Sequence, residues 1–142
     1  MEYAVTPNPF ELNPSHSRRP RPQEKGRDPY DGLRPWSAIT HGVGAVLALV
    51  GTVLLLVQAA LQGADPWKLV SFAIYGASMI GLYTASTLYH CVKTSVRGRI
   101  NLRKYDHTSI YFLIAGTYTP ICLTALRGPW GWSLFGVIWA LT

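Results

Sequence analysis

Four ionisable side chains fall at the ends of long apolar runs: His41, His90, Asp106 and His107, with Ser86 one helical turn before His90. An imidazole nitrogen is a good zinc ligand, and a nearby carboxylate can orient a metal-bound water or accept its proton. Zinc lowers the pKa of such a water to about 7 and so supplies a hydroxide nucleophile near neutrality. Ser86 and His90, four residues apart, lie on one helix face, and Asp106, Ser109, Leu113, Thr117 and Pro120 share another. Two helices meeting along those faces would bring an imidazole, a hydroxyl and a carboxylate into a common pocket. The alternative reading is that each group sits near a helix end and is hydrated at headgroup level. One histidine and one carboxylate do not complete a tetrahedral metal site. His107 points about 100° around the helix from Asp106, toward a neighbouring helix or interfacial water.

The elements that must position these groups are membrane helices. Three runs, at about 39–61, 69–90 and 105–126, lack charge at their centres. Each is about 20 residues or slightly more, enough to cross about 30 Å of hydrocarbon. A fourth begins at Pro129, where proline suits a first helical turn, and reaches only about 21 Å by Thr142. The reading is therefore an all-α polytopic bundle whose fourth span is cut short. Residues 1–35, rich in proline and charge, read as a disordered tail. No apolar segment follows Met1, so no cleavable signal is expected and the first span must direct insertion. The short GADP connection makes spans one and two antiparallel neighbours, KTSVRGRINLRK reads as a basic connecting loop, and RGPWG as a tight turn. Ser71, Tyr75, Ser78, Thr84, Ser86 and His90 give span two a polar face suited to a bundle interior.

The net charge of +6 is explained by where the cations lie. Arg18, Arg19, Arg21, Lys25, Arg27 and Arg34 precede the first run, and Lys93, Arg97, Arg99, Arg103 and Lys104 separate the second from the third. Only Lys68 and Arg127 of the 13 fall in the other connections. That alternation is the positive-inside pattern and places the N-terminus in the cytoplasm; no nucleic-acid partner is needed. Cys91 and Cys122 lie toward opposite membrane faces, too far apart for a disulfide.

SAITHGVGAVLALVG, then STLYH, then KYDHTSIYFLIAGTYTP, in that order and spacing, resemble the hemolysin III family. That family belongs with the progestin and adiponectin receptors in a superfamily of seven-helix membrane proteins. The resemblance covers roughly Trp36 to Thr142 and implies the first three spans and part of a fourth of an expected seven. It also implies roles. His90 matches a second-helix zinc ligand, Ser86 the serine one turn before it, and Asp106 the third-helix aspartate that holds the zinc-bound water. His41 matches the histidine of the first motif. The family's remaining ligands, an HxxxH pair on the seventh helix, have no counterpart here, so the zinc site is incomplete within this chain. Where the commoner first motif ExxNxxTH has Glu and Asn, this sequence has Arg34 and Ser37, while Thr40 and His41 are kept.

The resemblance implies an integral protein of the plasma membrane. Its expected activity is zinc-dependent hydrolysis of a lipid amide or ester, with this chain alone expected to be inactive. Two other functions are compatible with it: a cytolytic or pore-forming protein, and a receptor-like membrane-homeostasis protein with structural zinc. No span carries the repeated polar stripe of a channel lining.

Overall fold

A computed structural model of the protein describes residues 33–142, so positions 1–32 of the expected tail lie outside the described residues. The described chain folds into four α-helices: α1 Pro35–Leu61, α2 Pro66–Cys91, α3 Val96–Pro120 and α4 Pro129–Ala140. A π-helical turn, Ile121–Ala125, continues α3. There is no strand among the described residues. Proline opens α1, α2 and α4, where its missing N–H would have been unpaired in any case. Asp65 caps α2 by accepting from the Lys68 N–H at 2.9 Å, and Ser95 caps α3 by accepting from the Gly98 N–H at 3.2 Å. Helices α1 and α2, and α3 with its π turn, are each long and apolar enough to cross a bilayer.

The packing is that of helices in lipid. Most buried positions are small, among them Ala48, Thr52, Ala59, Ser71, Gly76, Ala115 and Gly116. Val46, Leu47 and Leu54 are more than half exposed. An aqueous core would invert this arrangement. Lipid tails are as apolar as leucine, so association depends on close backbone approach and is favoured by small residues. The Thr52 side chain fills the space where a Cβ on Gly76 would stand, and Ser78 does the same at Gly116. The hydroxyls at these seams donate within their own helices, Thr52 to the Ala48 carbonyl at 2.6 Å and Thr119 to that of Ala115 at 2.8 Å. Helix α4 folds back on α3, with Trp139 Nε1 donating to Thr119 Oγ1 at 3.1 Å.

Two features depart from the sequence reading. The segment 93–104, expected as a connecting loop, is mostly helix; α3 starts at Val96, and only 92–95 connect it to α2. Charge density suggested a break, but Ser95 provides a cap and no proline follows until Pro120. The turn is also anchored. Arg99 is buried, its guanidinium lies 4.5 Å from the centre of the Tyr89 ring, and its Nη1 donates to the Tyr89 carbonyl. The second departure is the π turn. Pro120 has no N–H to donate, which interrupts the regular ladder, and downstream the Leu126 N–H reaches the Ile121 carbonyl, five residues back, at 2.9 Å.

Candidate functional site

The antiparallel register of α1 and α2 brings the first two candidates together. His41 and Ser86 each lie about 20 residues, or about 30 Å of helix, from the turn joining the two helices. They meet: His41 Nδ1 and Ser86 Oγ share a hydrogen bond of 2.6 Å. The His90 ring packs edge-on against His41 with centroids 5.7 Å apart, and Tyr83 flanks His41 on another side at 6.1 Å. The end of α2 is held by its neighbours, because the Arg34 N–H donates to the His90 carbonyl at 3.2 Å and Arg99 to that of Tyr89. Both carbonyls belong to the last turn of a helix, which has no partners of its own for them.

Ser86 and His90 therefore do share a face of α2, but the direct partner of Ser86 is on α1. The tautomer sets what this pair can do. If His41 Nδ1–H donates to Ser86, then Nε2 presents its lone pair to a ligand; if the Ser86 hydroxyl donates, Nε2 carries the proton. Sequence reasoning put His41 and Ser86 toward the same end of the spans without identifying their contact. Matching distances from the GADP turn could have found it.

Asp106 lies on α3 with its side chain 15% exposed, while the neighbouring His107 is 58% exposed, with Nδ1 3.8 Å from Asp106 Oδ2. His107 Nδ1 is 2.9 Å from the Arg103 carbonyl, which it meets as a donor. Of the two orientations expected for His107, toward a neighbouring helix or toward interfacial water, its exposure fits the second. Ser109 donates to the Asp106 carbonyl at 2.7 Å, so its hydroxyl is turned back on its own helix. Among the described residues, no three His, Cys, Asp or Glu side chains come together as a group able to hold a metal ion. His41 and His90 are near one another, but the donors present do not make a complete zinc site.

Residues 35–142 match the model of the family described as haemolysin-III related. The chain belongs to that family. It is 44% identical to Hemolysin-3 of Bacillus cereus over 105 residues, covering 74% of this chain and 47% of the relative. To the Hemolysin-3 homolog of Bacillus subtilis (strain 168) it is 45% identical, covering 74% and 48%. The Monocyte to macrophage differentiation factor of Homo sapiens is 29% identical over 109 residues, 72% of this chain and 43% of that protein. The chain thus spans about half the length of the curated relatives it matches. No solved structure matches it. The family and the three spanning helices agree that this is an integral membrane protein.

Proposed function

We propose that the cluster of His41, Ser86 and His90, with Asp106 of α3 at the same end of the bundle, is one part of a zinc site in a membrane hydrolase acting on a lipid amide or ester. The observation that carries this reading is the 2.6 Å bond between His41 and Ser86 beside the His90 ring, at one end of helices apolar enough to span a bilayer. Ionisable groups so placed are costly in lipid and are functional by default. In this reading His90 is a metal ligand, Ser86 orients His41, and Asp106 holds a proton or a water. The further donors would come from outside the described residues. Zinc would supply Lewis acidity and an activated water; no step through the metal follows from the residues present. The cation distribution supports a cytoplasmic N-terminus, and in this reading the cluster lies on the cytoplasmic side.

Elemental analysis of the purified intact protein tests the ligand assignment. Wild type should carry zinc and His90→Ala should lose it, whereas equal zinc in both removes His90 from the site. With zinc retained, Asp106→Ala should abolish release of fatty acid from a lipid amide; full turnover in that variant would remove Asp106 from the mechanism, and no turnover by wild type would count against the hydrolase. The name of the Bacillus cereus relative favours a second reading, membrane lysis. Dye release from liposomes on adding pure protein would support it.

A further inference from the structure

On the far side of α2 from this cluster, a trough runs along the seam with α3. Ala77, Gly81 and Ala85, at four-residue spacing, form its floor, and Tyr105 and Phe112 of α3 its wall, enclosing about 490 Å³. A second hollow of about 570 Å³ shares that floor and Tyr105 and continues it past Leu88 to Leu102. At about 100° per residue Ala77 lies half a turn from Ser86. None of His41, Ser86, His90 and Asp106 lines either hollow. From Ile74 to Leu88 the trough is about 21 Å long, against about 15 Å for one leaflet of hydrocarbon.

A shallow trough floored by small residues can admit a helix or an acyl chain. The charge along α3 around and before Leu102, none of which lines either hollow, separates the two. Lys93, Arg97, Arg99, Arg103 and Lys104 occupy this end of α3 and the connection before it, with no acidic residue until Asp106. None of the five is ion-paired among the described residues. Arg99 is only 8% exposed, its Nη2 has no hydrogen-bond partner and no carboxylate of the described residues pairs with it, so it adds to the positive charge of this end. Arg97 and Lys104, seven residues apart, are both exposed on one side of α3. A second copy of this chain, inserted the same way, would bring the same cations to the same face, where they repel. A lipid phosphate complements them.

We infer that this trough is a binding site for an anionic phospholipid, one acyl chain lying over Ala77, Gly81 and Ala85 and the headgroup against Arg97 and Lys104. Native mass spectrometry of the intact protein in mild detergent, titrated with phosphatidylglycerol or phosphatidylcholine, tests it. Wild type should retain one phosphatidylglycerol with a preference of about tenfold or more over phosphatidylcholine. Gly81→Leu fills the trough, and an added Cβ there meets nothing within 4 Å, so the helix can accept it; retention should fall about tenfold. The double variant Arg97→Gln with Lys104→Gln, confined to exposed positions, should lose the preference between the two lipids. Circular dichroism confirms that each variant is helical. Equal retention of both lipids by wild type, or an unchanged preference in the double variant, overturns the inference. So does a dimer that Gly81→Leu dissolves, which would assign the trough to a second copy.

Discussion

The two ends of the bundle hold polar groups in opposite ways. At the end where α1 begins and α2 meets α3, one set of polar side chains turns inward beneath exposed cations: His41 to Ser86, His90 beside His41, and Arg99 over Tyr89. At the other end they lie on the surface. Arg127 Nη1 is 3.2 Å from Asp65 Oδ2 with both side chains about half exposed, Arg127 also lies 5.9 Å from the Trp67 ring centre, and Trp67 packs edge-on against Trp132 at 5.3 Å. An exposed pair with an aromatic belt closes a loop at the membrane surface and gains little from its charges. Buried groups bonded across helices have no water to fall back on. The difference marks the first end as the place where chemistry is possible and the second as an anchor.

The largest expected effect removes the frame that both ends depend on. Gly116→Leu would drive a side chain into Ser78 of α2, and overpacking of this kind costs about 1–3 kcal/mol or more; no monodisperse protein is expected on size exclusion. Next comes Arg99→Ala, which removes a charged hydrogen bond and a ring contact and should destabilise by about 2 kcal/mol in thermal unfolding in detergent. Relief of the unpartnered Nη2 works against that loss, so Arg99→Met, which keeps the packing, should cost less than Arg99→Ala. Ser86→Ala leaves His41 Nδ1 without its partner and should cost about 1 kcal/mol. At the other end Asp65→Ala should cost a similar amount, about 1 kcal/mol, through loss of the α2 cap, while Asp65→Asn keeps the cap and loses only the ion pair. Smallest is Arg127→Gln, within about 0.5 kcal/mol of wild type. If Arg127→Gln proves costlier than Ser86→Ala, the contrast between the ends fails.

Much of this arrangement could be read before any coordinates. Helical periodicity put Ser86 and His90 on one face, and the short GADP turn set α1 against α2. The start of α3 could not be read, because a run of cations resembles a loop and its helicity rests on the Ser95 cap and on the burial of Arg99. Cross-helix partners were equally hidden: nothing local in STLYH says that its serine meets an α1 histidine rather than the histidine in its own motif.

The sequence by itself determined that three apolar stretches cross a bilayer, and that histidine, serine and aspartate gather toward one end. Length and charge suffice for that, since hydrocarbon excludes charge and a helix has a fixed rise. Only the tertiary structure decided that Ser86 pairs with His41, that Arg99 is buried against Tyr89, and that the described donors stop short of a three-ligand site. Those outcomes depend on how helices rotate and approach about Gly76 and Gly116, where a single side chain sets the contact.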